Sequence, residues 1–205
     1  MNKTRLSRVI ANMEAQSLEQ IVVTSTSSVY YLTGIHVEPM ERMLALYIHT
    51  SGRCVLYANE LFAIPPQEDL ELLLHTDSDD PAALLAAGVA PGRLGIDKSW
   101  PSKFLIRVLE ARPDVVPVLG SAPVDEARMI KDEAEIAAMR RASRINDQVV
   151  GQAIAALHAG ASETEIADLV ERLFREKGAN RSSEGQLVCF GPNGAAPPHG
   201  PDGTR

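Results

Sequence analysis

An α/β fold built on a mixed sheet is what this sequence predicts, and three observations predict it. Short runs dense in β-branched and other apolar residues, Ile21-Val22-Val23, Leu94-Gly95-Ile96 and Val115 to Leu119, alternate with segments whose apolar residues recur at helical spacing. Two apolar runs, Met43 to Ile48 and Cys54 to Tyr57, flank the turn-forming stretch Thr50-Ser51-Gly52-Arg53, which is a hairpin signal. A hairpin among helix crossovers makes the sheet mixed rather than purely parallel. The composition agrees with a globular protein: 45% hydrophobic and 23% charged, with only 4% aromatic residues. Ala, Val, Ile and Leu supply the apolar mass, enough for a core without covalent staples.

In chain order, the first element is a helix, because Leu6, Val9, Ile10 and Met13 follow the i, i+3, i+4, i+7 stripe of one face. The strand at 21–23 follows, then the hairpin. Pro81 to Ala87 reads as a short helix with proline in its first turn, where the missing N–H costs nothing. The strand at 94–96, a helix from Phe104 to Leu109 and the strand from Val115 to Leu119 complete a first domain.

The character changes near residue 123, which divides the chain into 1–123 and 124–205. Asp132 and Glu135 have the spacing of a capping box, and a helical pattern of roughly 25 residues follows, with Ile136, Met139, Ala142, Ile145, Val149 and Ala153 as its apolar stripe. Gly160 ends that helix. Ser162 and Glu165 form a second capping box, and Ile166, Leu169, Val170, Leu173 and Phe174 mark a second amphipathic face closed by Gly178. Leu187 to Phe190 is a strand, followed by a loop rich in Gly and Pro that includes Pro197, Pro198 and His199. One strand for two helices describes an unfinished α+β domain, because strand backbone groups need neighbours.

A net charge of −7 excludes a nucleic-acid footprint, which needs a clustered basic face. No apolar run approaches the ~20 residues of a spanning helix, so no membrane partner is expected. Asn12 and Glu14 interrupt any signal-peptide core. Cys54 and Cys189 stand far apart in apolar runs and read as buried thiols of a reducing cytoplasm. Phosphate-binding, nucleophile-elbow and dinucleotide motifs are missing. His36, His49, His75, His158 and His199 never take the i, i+4 spacing of a helical zinc site. Glu68-Asp69 and Asp77 to Asp80 lie in polar loops and read as solvated acids, so no metal-binding residue is assigned.

Four stretches in order carry a resemblance. Val29-Tyr30-Tyr31-Leu32-Thr33-Gly34, then Arg128-Met129-Ile130-Lys131 with Glu135 and Ala142, then Gly160, Ser162, Glu163, Glu165 and Ile166, then Phe190-Gly191-Pro192-Asn193 with His199, together resemble the creatinase, prolidase and Xaa-Pro aminopeptidase family. The resemblance implies a mixed-sheet N-terminal domain followed by the first part of a "pita-bread" catalytic domain. In a complete member it implies two divalent ions (Mn, Co or Zn) on two Asp, one His and two Glu, a peptide substrate and a homodimer. All five ligands are expected beyond the position matching His199, so the chain that ends at Arg205 carries none and is expected to be inactive by itself.

By the same resemblance, His199 is the catalytic candidate, beside the metals as a substrate contact or proton shuttle, a task that suits imidazole. Without metal-bound water it is a loop histidine, and Gly200 stands where many relatives have a second one. Tyr30, Tyr31, Leu32 and Gly34 read as core and turn. Glu38, Glu41 and Arg42 lie in a loop that in relatives reaches a neighbouring subunit, or is plain surface. Substrate-binding residues are unknown. The function implied is part of a peptidase cleaving before proline; the alternatives are a fragment of a creatinase-like C–N hydrolase and a non-catalytic dimerisation or protein-binding module. A dimer is expected to bury Leu169, Leu173 and Val188.

Overall fold

The computed structural model describes residues 1–179, 186–195 and 199–205. They form two compact units, Met1–Ile130 and Lys131–Arg205.

The first unit is three layers deep. Helix α1 (Lys3–Ala15) leads into strand β1 (Gln20–Val23), helix α2 (Thr26–Thr33), and the hairpin β2 (Leu44–His49) and β3 (Cys54–Asn59). Then come β4 (Glu71–His75), α3 (Pro81–Gly88), β5 (Gly92–Ile96), α4 (Ser102–Ala111), β6 (Val115–Leu119) and α5 (Ala122–Met129). The strands lie in the order β4-β3-β2-β1-β5-β6. The hairpin makes β1–β2 and β2–β3 antiparallel, while β3–β4, β1–β5 and β5–β6 are parallel. The mixed sheet expected from the sequence is the sheet observed.

Central strands buried on both faces need apolar residues at consecutive positions. Ile21, Leu46, Ile48 and Leu56 point to one face, packed with Val9 and Met13 of α1, Val29 and Leu32 of α2, and Val124 and Ala127 of α5. Val22, Tyr47, Val55 and Tyr57 point to the other, against Ala82 and Leu85 of α3 and Phe104 and Val108 of α4. Each fully buried aliphatic side chain is worth roughly 1.5–3 kcal/mol. Gln20, 2% exposed, is a polar plug inside this core. Its amide donates to the carbonyls of Ala90 and Arg93, and its oxygen accepts from Tyr47 Oη and the Ala90 N–H.

Beside β1 and β5 sits Asp97, 8% exposed. Its Oδ2 accepts the N–H groups of Thr24 and Ser25, both at 3.0 Å, and its Oδ1 accepts Ser121 Oγ at 2.9 Å. Ser25 caps α2 without using its own side chain, so Asp97 satisfies the start of that helix from just beyond the end of β5. Burial opposes ionisation of Asp97, but these donors outweigh it and hold its carboxyl below the ordinary value. Glycines meet nearby: a Cβ on Gly120 would stand 2.4 Å from the Gly95 carbonyl carbon. On the edge, β6 pairs among the described residues with β5 alone and carries Pro117 opposite Leu94, with Val116 and Leu119 exposed.

Three elements of this unit differ from the sequence reading. The Tyr-Leu-Thr-Gly stretch is a helix, α2, ended by Gly34 at φ 73°, rather than a turn over core. Strand β4 and helix α5 were not predicted. The boundary expected near residue 123 falls inside α5, whose Pro123 carbonyl accepts the Asn12 side chain of α1, and the compact units divide after Ile130.

The second unit contains α6 (Glu133–Ala155) and α7 (Glu163–Glu176), which pack on each other. Asp132 and Glu135 form the expected capping box. Val149 and Ala153 are the part of the α6 stripe that is buried; Met139 is exposed. Ser162 caps α7 through the Glu165 N–H, but the second half of the expected capping box is absent, because the Glu165 carboxylate faces His158 at 3.2 Å instead. At the other end Gly178 and Ala179 donate to the Arg175 and Phe174 carbonyls, with Gly178 at φ 83°, a complete Schellman stop. The strand expected at Leu187 to Phe190 does not form: no partner strand stands beside it among the described residues, and the Phe190 N–H is taken by a side chain. Pro197 and Pro198 lie outside the described residues. Among the described residues no helix is long and apolar enough to cross a membrane.

Candidate functional site

The site gathers on the first turn of α7. Glu163, the first residue of that helix, is fully buried. A carboxylate persists in such a place only when donors surround it. Its Oε1 accepts the Phe190 N–H at 2.6 Å and the Asn193 side-chain amide at 3.0 Å; its Oε2 accepts the Asp202 N–H at 3.1 Å. Burial opposes its ionisation, but these donors prevail and keep its carboxyl below the ordinary value. The helix start adds positive potential of the same sense. Residues 202–204 lie along this turn, with the Glu163 and Thr164 N–H groups donating to the Thr204 and Asp202 carbonyls.

His199 is held against the same carboxylate. Its Nε2 stands 3.5 Å from Glu163 Oε2 and 3.3 Å from Asp202 Oδ2, with 29% of its side chain exposed. That nitrogen is buried yet meets hydrogen-bond geometry with neither oxygen. Cys189, a free and half-buried thiol, points its Sγ to the His199 carbonyl at 3.7 Å. Glu163, His199 and Asp202 are the group of three among the described residues close enough to share a cation, their ligand atoms lying within 4.8 Å of one another. Both Glu163 oxygens already accept hydrogen bonds, and Asp202 Oδ1 accepts the Thr204 N–H at 2.7 Å. The sequence singled out His199 and treated Glu163 only as one letter of a motif; no spacing rule points to a contact across 36 positions.

The other candidates lie outside this group, in the first unit. Tyr31 is buried and donates its hydroxyl to the Ala127 carbonyl, whereas Tyr30, expected in the core with it, is 52% exposed and edge-on to His36. Arg128 donates to Ser28 Oγ. Of the loop acids and bases, Arg42 forms a two-pronged pair with Asp77, and Glu38 and Arg42 line a hollow of about 350 Å³ with Ser25, Trp100 and Phe104. The acids read as solvated have local duties as well: Asp80 caps α3 and Asp79 accepts from Thr76. Leu173, expected in a dimer contact, is buried within its own unit.

Comparison with known proteins bears on both units. The Creatinase/Prolidase N-terminal domain family matches residues 5–130, and Metallopeptidase family M24 matches residues 137–205. The probable dipeptidase PepE of Mycobacterium bovis is 32% identical over 96% of this chain and 54% of its own length. An uncharacterized peptidase of Staphylococcus aureus is 29% identical over 98% of this chain and 58% of its own. A prolidase from Thermococcus sibiricus superposes with a TM-score of 0.83 at 25% identity, covering all of this chain and 58% of that one. The chain thus spans a little over half the length of these relatives.

Proposed function

Because the chain belongs to the creatinase/prolidase family, we propose that it supplies the N-terminal domain and the opening of the catalytic domain of a metal-dependent peptidase cleaving the bond before proline. The observation that carries this reading is the pair of family matches in order along nearly the whole chain, the second reaching through His199. Dipeptide substrates are favoured over longer peptides by the dipeptidase and prolidase relatives.

The two divalent ions of the family do not fit the described residues. Among the described residues, Glu163, His199 and Asp202 are the one acidic and histidine group close enough, and its buried carboxylate is committed to backbone and amide donors. No step is therefore assigned to a metal here. What these residues do is hold an imidazole at a fixed place, available to contact substrate or pass a proton. By itself the chain is expected to be inactive. We also assign it a homodimer, in which the exposed Ile154, Leu157 and Leu187 replace the buried Leu173 as contacts, and a reducing cytoplasm, which suits two free thiols.

The test is to read the coding sequence past codon 205 and assay both products on Xaa-Pro dipeptides with Mn, Co or Zn. Hydrolysis by a longer product, with none by the 205-residue chain, is expected. A longer product that is metal-loaded, folded and inert to Xaa-Pro peptides would overturn the reading.

A further inference from the structure

We infer that Glu163 is a positioning residue for His199, acting by its negative charge; this rests on reading His199 as the histidine of the peptidase cleft. Three facts converge on it. Among the described residues, the donors on Glu163 come from the two stretches flanking His199: Phe190 and Asn193 before it, Asp202 after it. One carboxylate therefore gathers the loop from both sides. The oxygen that accepts from Asp202 is also the one facing His199 Nε2 at 3.5 Å. The ring nitrogen is thus aimed into a buried anionic corner shared with Asp202.

Charge, rather than shape, is the active property. An amide at this position would keep the volume but turn one acceptor into a donor against an N–H, leaving buried donors face to face. The second acid of the motif cannot substitute, because Glu165 is exposed and faces His158. Asp202 cannot either: it is half exposed and its backbone N–H is itself a ligand of Glu163.

The experiment uses the 205-residue chain. Amide hydrogen exchange at Phe190 and Asp202, and the imidazole ¹⁵N signals of His199, are compared in wild type, Glu163→Gln, Glu163→Asp and Asn193→Ala. Glu163→Gln is expected to speed exchange at both amides by about tenfold or more and to move the imidazole signals. Asn193→Ala loosens the loop while keeping the charge, so it should speed exchange modestly and leave the imidazole in place. If Glu163→Gln loses protection throughout α7 and fails to fold, Glu163→Asp decides: it keeps the charge, so exchange should rise while the imidazole stays near its wild-type signals. Unmoved imidazole signals in Glu163→Gln, or equal movement in Asn193→Ala, would reduce Glu163 to loop glue and overturn the inference. None of these measurements needs peptide hydrolysis, so their failure and that of the peptidase reading are separable.

Discussion

Replacing Asp97 by Ala removes the acceptor of two backbone N–H groups and one hydroxyl. The hydroxyl of Ser121 can turn elsewhere; the N–H of Thr24, at a residue 6% exposed, has nowhere to go. Leaving a buried donor unmet costs about 1–3 kcal/mol, and a charged hydrogen bond contributes about 1.5–3. Taking one orphaned N–H and one weakened helix start, Asp97→Ala should destabilise the first unit by about 3 kcal/mol. Asp97→Asn should cost about half as much, since its oxygen can still accept both N–H groups. Trp100, the only tryptophan in the sequence, lies close by in the chain, so its fluorescence during urea unfolding reports this unit. The sign with pH follows from the lowered carboxyl of Asp97. Its stabilisation is present above the ordinary aspartate range and is lost as pH falls through the folded value. The gap between wild type and Asp97→Asn should therefore shrink in acid. A loss under about 0.5 kcal/mol for Asp97→Ala at neutral pH, within the range of ordinary surface changes, would refute the reasoning.

Gly120→Ala should destabilise the same unit by about 3 kcal/mol, because its Cβ meets backbone atoms of Gly95 and Ile96 at 2.4–2.7 Å; a urea midpoint equal to wild type would contradict this. Ser17, exposed and at φ 53° after α1, should gain about 0.5–1 kcal/mol on mutation to Gly, seen as a higher thermal midpoint. Metal analysis of the dialysed 205-residue chain should find well under one equivalent of Mn, Co or Zn; stoichiometric metal would show that Glu163, His199 and Asp202 prefer a cation to their present donors.

Elements with a strong local signal were legible in the sequence. Helix α1 and the capping box at Asp132 announce themselves, because amphipathic spacing and cap chemistry are local. Helix α2 did not, since Ser28, Val29, Tyr31, Leu32 and Thr33 are all buried and erase the helical stripe. The segment Leu187 to Phe190 failed in the opposite sense: its residues suit a strand, but pairing is a property of neighbours. In the candidate site, His199 is singled out by a family likeness spread along the chain. Glu163 was hidden because a buried acid at a helix start looks, in sequence, like the exposed acids that usually stand there.

Pro117 on the edge strand β6 bears on how the purified chain behaves when concentrated. Val116 and Leu119 are exposed on that strand, one on each face, and flank an open rim at which sheets of separate molecules would otherwise knit together. A pyrrolidine in the middle of the rim has no hydrogen to lend, so a molecule docking there finds a gap in the seam. Anyone trimming the surface to improve crystals or storage life can alter Val116 or Leu119, and has reason to leave Pro117 where it is.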